Sequence, residues 1–192
     1  MILKAIISVL IKYVKCRRES LDSLEKQTTI EAEENRAVPA PGGAREISEV
    51  FFLSDLMEKE LAEEMLAYRC PRYEQLPDIP LYRDQVLDAL ERYTAPFFSG
   101  RDEPVLTAAM INNYVKLHLI EPPVKKRYER EQLALLYCIC LLKQVMSISE
   151  LHSLLLIQSR SYPLAQAYDY FCAELEKALQ ATFATRDFSA PS

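Results

Sequence analysis

Residues 105–128 read VLTAAMINNYVKLHLIEPPVKKRY, and this stretch decides how the rest of the chain is interpreted. Its apolar residues recur at helical spacing, and Asn112, Asn113 and Lys116 lie towards the opposite side. Two prolines then forbid helix, and a basic segment follows them. The pattern predicts a helix over residues 108–118 that packs on a core and shows amides and one positive charge to a partner.

The packed side of this helix is predicted to carry Met110, Ile111, Val115 and Leu119. Thr107 stands at the natural N-cap position, where its hydroxyl can accept a backbone N–H. His118 falls on or near the packed side. We therefore interpret it as a core or boundary histidine and not as a metal ligand, since its neighbours supply no metal-binding spacing.

Length and composition favour one helical domain with appendages. The chain has 192 residues, is 49% hydrophobic, and contains three glycines and no tryptophan. An architecture rich in β-hairpins would need more glycine for its tight turns. The five cysteines form no disulfide or zinc framework, which indicates a reducing, cytoplasmic setting.

The charge is distributed unevenly along the chain. The net charge is −5, yet residues 107–160 hold seven basic and four acidic groups, a local net charge of +3. Residues 19–106 hold nine basic and twenty acidic groups, a local net charge of −11. The positive part of the predicted domain therefore coincides with the opening stretch, where an anionic partner would be attracted.

The ends of the chain differ in composition from its centre. Residues 1–18 are apolar and basic, too short to span a bilayer, and suited to weak contact with an anionic membrane surface. The simpler explanations are a helix docked on the domain, or an extension from an upstream start codon. Residues 19–46 are a flexible acidic linker, residues 47–186 form the helical domain, and residues 187–192 are a frayed tail.

Apolar periodicity outlines the helices of this domain. The predicted helices cover residues 54–69, 80–95, 129–146, 148–158 and 163–184. Asp78 would cap the second of them, and Ala95-Pro96 would end it. The helix at 129–146 is apolar almost all round, which predicts a central core element. Ser147 and Glu150 form a capping box for the next helix. The stripe on the last helix either packs on the core or forms a homodimer.

Two blocks of the sequence are familiar. PRYEQLPDIPLYRDQVL and LTAAMINNYVKLHLIEPPVKKRYEREQLALLYCICLLKQVMSISEL resemble the bacterial family called domain of unknown function 1836. The likeness covers roughly residues 71–184, and its most specific part is the block MINNYVK…PPVKKRY. This family carries no assigned reaction, so the resemblance indicates domain limits and not an activity.

The same region resembles, more loosely, the MerR-type winged helix-turn-helix. In that comparison residues 110–119 match the recognition helix, residues 122–128 match a basic wing, and residues 129–156 match the two helices after it. The resemblance implies an all-α, multi-helix domain with a winged helix-turn-helix-like core and a short β wing at 121–128. The chain departs from the pattern in front of Thr107, where no compact helix–turn is found.

A DNA-binding transcriptional regulator is the main functional hypothesis. Asparagine can pair with adenine in the major groove of double-stranded DNA, and a basic wing can hold phosphates. The candidate DNA-binding residues are Asn112, Asn113, Lys116, Lys125, Lys126, Arg127, Tyr128 and Arg130. The simpler explanation is that the asparagines are solvated and the basic triplet is a soluble loop.

A protein-interaction module without nucleic acid is the alternative. The acidic face of the helix at 54–69, with Glu63 and Glu64, and the apolar stripe of the last helix motivate it. We expect no enzyme, no cofactor and no metal. The three glycines form no phosphate-binding loop. Cys138 and Cys140 lie in a helix predicted to be buried, where a thiol acts as a small apolar group.

Overall fold

The computed structural model describes Lys59 and residues 62–98 and 103–184 of the chain. Residues 62–67 are helical, and a 3₁₀ helix covers Tyr73–Gln75. The elements that follow are β1 (Leu81–Tyr82), α1 (Arg83–Phe98), α2 (Ala108–Lys116), β2 (Arg127–Tyr128), α3 (Arg130–Leu142), α4 (Ile148–Ser161) and α5 (Leu164–Phe183). The all-α, multi-helix fold predicted from the sequence is confirmed.

Several predicted segments lie partly or wholly outside the residues that the structure describes. The apolar and basic segment 1–18, the acidic linker 19–46 and the tail 187–192 lie outside the described residues. The start of the predicted helix at 54–69 also lies outside them. The structure describes the later part of this helix, at residues 62–67.

Helix α3 is the centre of the domain, as its composition predicts. Its buried residues are Gln132, Leu133, Ala134, Leu136, Tyr137, Cys138, Ile139, Cys140, Leu141 and Leu142. They point in all directions around the helix, so each side needs a cover. Helix α3 packs against both α1 and α5, and α5 in turn packs against α4 and the 3₁₀ helix.

Helix α5 packs its apolar stripe on this core. Tyr168, Phe171, Leu175 and Leu179 are buried within a single chain. The polar side chain of Glu176 fixes the chain before the 3₁₀ helix, since it accepts the amide of Cys70 at 2.8 Å and the guanidinium of Arg72 at 2.7 Å. A homodimer through residues 163–184 stays a prediction, and it would have to use the other face of α5.

The segment before α1 differs from the prediction. The predicted helix at 80–95 begins at Arg83, because Leu81 and Tyr82 form strand β1. Strand β1 pairs with β2 in antiparallel register, Leu81 opposite Tyr128 and Tyr82 opposite Arg127. The prediction that Asp78 caps this helix was therefore wrong, since the strand lies between them.

The end of α1 also differs. Proline was expected to stop the helix at residue 95, yet α1 runs through Pro96 to Phe98. The two phenylalanines that follow the proline are buried in the core. Burying a phenylalanine side chain contributes roughly 1.5–3 kcal/mol, which offsets the cost of about 3 kcal/mol for a proline inside a helix.

Helix α4 begins as predicted. The hydroxyl of Ser147 accepts the amide of Glu150, and the carboxylate of Glu150 accepts the amide of Ser147 at 2.8 Å, which completes the capping box. The helix continues to Ser161, beyond the predicted end at 158, and Leu151 is its fully buried residue.

A chain of tyrosines ties α1, α3 and the stretch after residue 67 together. The hydroxyl of Tyr68 lies 2.7 Å from the carbonyl of Tyr93 and 2.7 Å from the hydroxyl of Tyr137. Tyr137 also lies 3.3 Å from the thiol of Cys70. By contrast, the hydroxyl of Tyr168 is buried without a hydrogen-bond partner among the described residues.

This contrast predicts opposite outcomes for two equivalent substitutions. Tyr137→Phe should lower the free energy of unfolding by about 1 kcal/mol, because two polar neighbours lose a partner. Tyr168→Phe should leave it unchanged or raise it by about 1 kcal/mol, since it removes a buried hydroxyl that has no partner. Urea denaturation of both variants checks this, and an equal loss in both would contradict it.

Candidate nucleic-acid interface

Helix α2 has one packed face and one polar face. Thr107 caps it as predicted, its hydroxyl accepting the amide of Met110 at 3.2 Å. Ile111 and Tyr114 are buried. The exposed side chains of the opposite face are Asn112, Asn113 and Lys116. Among the described residues these three side chains have no hydrogen bond and no ion pair, so they are available to a partner.

The end of α2 corrects two expectations. The helix stops at Lys116 and not at 118, and His118 then takes a positive φ of 56°. The amide of Leu119 donates to the carbonyl of Tyr114, and the amide of His118 donates to that of Val115. This is the Schellman arrangement, whose left-handed position usually holds glycine. His118 is exposed there, so the prediction of a core or boundary histidine was wrong.

Met110 also departs from the predicted packed side, because it is partly exposed at the edge of α2. The ammonium of Lys143 reaches across from the end of α3 to the sulfur of Met110, at 3.8 Å, and to the carbonyl of Val105. The spacing predicted that Met110 packs against apolar side chains, but its sulfur contacts the ammonium of Lys143 at the edge of the helix.

Residues 124–127 form a tight turn that we call the basic hairpin. The amide of Val124 donates to the carbonyl of Arg127 at 3.0 Å, and the amide of Arg127 donates back at 2.9 Å. The two central residues, Lys125 and Lys126, have φ values of 50° and 64°. Two positive φ values in a two-residue turn are the signature of type I′, which asparagine and glycine favour. A lysine at each such position destabilises the folded chain by about 1–2 kcal/mol.

The base of the hairpin is built by a distant residue. The guanidinium of Arg127 lies 4.9 Å from the ring centroid of Tyr82 and donates to its hydroxyl at 3.0 Å. Tyr82 remains 51% exposed, so the aromatic ring and the cation share one accessible surface. The strand of the predicted wing at 121–128 thus pairs with β1. Within the wing itself, a single antiparallel bridge joins Val124 to Arg127.

Gln132 holds the approach to the hairpin in place. Its side chain is 6% exposed, and its amide nitrogen donates to the carbonyls of Glu121 at 2.8 Å and Pro122 at 3.2 Å. Its oxygen accepts the amide of Glu129 at 2.6 Å. One side chain on α3 therefore satisfies three backbone groups on both flanks of the hairpin.

Two of the predicted site residues have structural contacts instead of free surfaces. Tyr128 is 4% exposed, and burial raises the pKa of its phenol. Arg130 pairs with the carboxylate of Glu74 at 2.8 Å and stacks 5.5 Å from the ring centroid of Tyr73. We therefore leave the ring of Tyr128 out of the candidate surface and assign Arg130 to holding the 3₁₀ helix.

The candidate surface is thus composed of two parts. The first is the polar face of α2, and the second is the basic hairpin with Lys125 and Lys126 at its tip and Arg127 on Tyr82. No hydrogen bond or ion pair between described residues joins the two parts. Sequence reasoning missed Tyr82 and Gln132, because strands of two residues leave no alternating pattern that would reveal their pairing.

The buried thiols differ in their surroundings: hydrogen bonds with the thiol of Cys172 and the hydroxyl of Tyr137 lower the pKa of Cys70, whereas burial raises the pKa of Cys138 and Cys140. Cys70, Cys138, Cys140 and Cys172 are all buried and free, and Cys16 lies outside the described residues. Burial raises the pKa of Cys140 to about 12, so this thiol stays protonated at neutral pH. The described part of the chain contains no group of three or more histidine, cysteine, aspartate or glutamate side chains placed to hold a metal ion.

Comparison with known families shows that residues 71–171 match the family described as a domain of unknown function, DUF1836. The chain belongs to this family. The matched region starts where the sequence resemblance starts, and it contains α1 to α4, the basic hairpin and the first part of α5. Neither the curated proteins nor the solved structures gave a match.

The DUF1836 region therefore contains every candidate residue of the surface described above. No helix among the described residues has both the length and the apolar character needed to cross a bilayer.

The role of Gln132 can be measured directly. Gln132→Met keeps the volume but leaves three backbone groups without their partner, so the free energy of unfolding should fall by about 1–3 kcal/mol. The control Gln180→Met changes an exposed glutamine of α5 and should alter stability by less than about 0.5 kcal/mol. Thermal and urea denaturation provide the comparison, and equal stability of the two variants would contradict the proposed anchor.

Proposed function

We propose that this DUF1836 protein is a cytoplasmic, non-enzymatic regulator that binds double-stranded DNA through α2 and the basic hairpin. In this proposal α2 acts as the recognition helix and the hairpin as the wing of a MerR-like winged helix-turn-helix. The observation that carries it is the hairpin tip, where two lysines occupy a strained turn with no partner among the described residues.

The strain at the tip supports a role beyond folding. Asparagine and glycine would form the same turn at lower energetic cost, since both tolerate positive φ. Lysine at these positions lowers stability and supplies two exposed charges. Backbone strain of this kind is concentrated at functional sites, where the surrounding structure holds it in place. Phosphate oxygens are the partners that two adjacent ammonium groups would attract.

Arg127 extends the same surface inward. Stacking on Tyr82 orients its planar guanidinium, so less side-chain entropy is lost when it binds a phosphate. The ring of Tyr82 itself is half-exposed beside it and can contact a sugar or a base. The hairpin therefore combines point charges with one oriented, bidentate donor.

Helix α2 supplies the groups that can read a sequence. Asn112 and Asn113 are adjacent and exposed, so one of them can aim its amide at the N6 and N7 positions of adenine. Lys116 lies one turn further along, where a phosphate contact would fix the register of the helix.

The decisive variant separates charge from stability. Lys125→Asn with Lys126→Gly places the favoured type I′ pair in the turn. The free energy of unfolding should rise by about 1–2 kcal/mol, less than the full strain, because glycine loses more chain entropy on folding than lysine does. If the hairpin holds two phosphates, the same variant should bind a labelled mixed-sequence duplex more weakly. The slope of log K against log salt should become shallower by about 1.8, at about 0.9 per released contact.

Fluorescence anisotropy from low to physiological salt measures both quantities. Arg92→Gln with Arg160→Gln removes two exposed positive charges from α1 and α4 and serves as the matched control, with an unchanged slope expected. Since the hairpin variant is expected to be more stable than the native chain, unfolding cannot explain weaker binding. An unchanged salt slope in a well-folded hairpin variant would refute the proposal.

A protein-interaction module is the second candidate, and the observation in its favour is the outer face of α4. Leu156 is 45% exposed and Ile157 54% exposed, on a helix that buries few of its own residues. Glu63 and Glu64 are exposed on the helical stretch before the 3₁₀ helix. Two results together would favour this candidate. The protein would not bind DNA at low salt, and a protein partner captured by the native chain would be lost when Leu156 and Ile157, or Glu63 and Glu64, are changed.

A further inference from the structure

Two thiols from distant parts of the chain meet against α5. Cys70 lies in the stretch before the 3₁₀ helix, and Cys172 lies on α5, 102 positions later. Both are free, and they are 3% and 0% exposed. A hydrogen bond joins the two thiols. The fold therefore brings together two sulfurs that the sequence keeps far apart.

The backbone around Cys70 is tied to the turn of α5 that carries Cys172. The amide of Cys70 donates at 2.8 Å to the carboxylate of Glu176, one helical turn after Cys172. The thiol of Cys172 donates at 3.8 Å to the carbonyl of Pro71. These two contacts hold residues 70–71 along α5, so the thiols stay opposite each other in the reduced protein.

The surroundings of Cys70 favour its thiolate. The hydroxyl of Tyr137 donates to the Cys70 sulfur at 3.3 Å. The Nη2 of Arg72 pairs with Glu176 at 2.7 Å, whereas its Nη1 is buried and has no hydrogen-bond partner in the described part of the chain. A thiolate next to a cation and hydroxyl donors is stabilised relative to the thiol.

The two thiols are also electrostatically unequal. Hydrogen bonds with Cys172 and Tyr137, together with the charge of Arg72, lower the pKa of Cys70 against the opposing effects of burial and Glu176. The hydrogen bond with Cys70 and burial raise the pKa of Cys172. One sulfur is thus suited to act as a nucleophile, while its neighbour remains a protonated thiol.

Access to this pair does not require the core to open. Residues 68–72 belong to no helix or strand, and local opening is easiest in such stretches. The side chain of Arg72 is 38% exposed, so the pair lies just below the surface. A small oxidant such as hydrogen peroxide can therefore reach Cys70 after a limited displacement of this stretch.

We propose that Cys70 and Cys172 form a peroxide-responsive pair, whose oxidation closes a disulfide between the stretch before the 3₁₀ helix and α5. The thiolate of Cys70 attacks one oxygen of hydrogen peroxide, the O–O bond breaks and hydroxide leaves, which gives a sulfenic acid. The sulfur of Cys172 then attacks the sulfenic sulfur. Its proton and the sulfenic hydroxyl leave as water. The two sulfurs lose two electrons and the peroxide gains them.

This modification would be reversible, since a dithiol reductant opens the bond by thiol–disulfide exchange. In a reducing compartment a disulfide of this kind is transient and serves to sense oxidants. The bond would close a loop that contains α1 to α4 and the basic hairpin. The proposal does not depend on DNA binding, and it can fail or hold without affecting the proposed function.

Mass spectrometry of the full chain identifies the bond directly. After peroxide treatment, blocking of free thiols and digestion with trypsin, fragment 70–72 should be linked to fragment 161–177. A dithiol reductant should release the two fragments. The oxidised chain should also unfold at a temperature about 5–10 °C higher than the reduced chain, because the cross-link restricts the unfolded state.

Alanine variants test the order of the two steps. Cys172→Ala should stop at the sulfenic acid, which dimedone traps on fragment 70–72. Cys70→Ala should give no dimedone adduct on fragment 161–177. Cys140→Ala removes another buried thiol and serves as the matched control, with the native rate of disulfide formation expected. Circular dichroism of each reduced variant confirms that it is folded.

Arg72→Gln tests the source of the reactivity. Loss of the cation should slow disulfide formation about fivefold to tenfold, because less of Cys70 is present as thiolate. If Arg72 only covered the thiols, its loss would expose them and the bond would form faster. A faster reaction in this variant would therefore overturn the assignment of Cys70 as the attacking thiolate.

Three further results would refute the proposal. Peroxide treatment might leave both thiols of the native chain reduced, which would show that the pair is inert. The bond could instead join Cys70 to Cys138, whose side chain also lies nearby. A dimedone adduct at Cys172 in the Cys70→Ala variant would show that Cys172 reacts first.

Discussion

Helix α3 has no side that it can leave in water, and the arrangement of the domain follows from that constraint. Nearly every residue from Gln132 to Leu142 is buried, so helices have to cover it on several sides. Helices α1 and α5 provide this cover, and α4 supports α5 from outside. The one buried amide of α3, Gln132, faces the loop on either side of the basic hairpin and satisfies its backbone. Core packing and the position of the candidate surface are thus set by the same helix.

The basic hairpin shows how a costly local conformation can be held by its surroundings. Two lysines at positive φ disfavour the turn by about 2–4 kcal/mol together. The pairing of β1 with β2, the stacking of Arg127 on Tyr82 and the hydrogen bonds of Gln132 act in the opposite direction. The consequence is a projecting turn whose charges are exposed while its base is rigid. Such a division suits binding of an extended anion.

Features that depend on long apolar patterns were predictable from the sequence, and features that depend on single residues in unusual conformations were not. The apolar run of α3 and the Ser147–Glu150 capping box were both confirmed, since each leaves a pattern several residues long. The strand at Leu81–Tyr82 was missed because two residues carry no period. The left-handed turn at His118 was missed because glycine, its usual residue, is absent. The first omission concerns the base of the basic hairpin, and the second concerns the end of α2.

The contact between Tyr82 and Arg127 joins residues 45 positions apart, and this separation bears on how the protein folds. Contacts within α3 or α5 are local and form early, whereas closing a long loop has an entropic cost that must be met first. We therefore expect the β1–β2 pair to complete late, after the helices have docked. Until then Arg127 has no ring to stack on, and the tip lysines have no rigid base. A chain that is collapsed but still incomplete would therefore lack the oriented arrangement of cation and ring at the base of the hairpin.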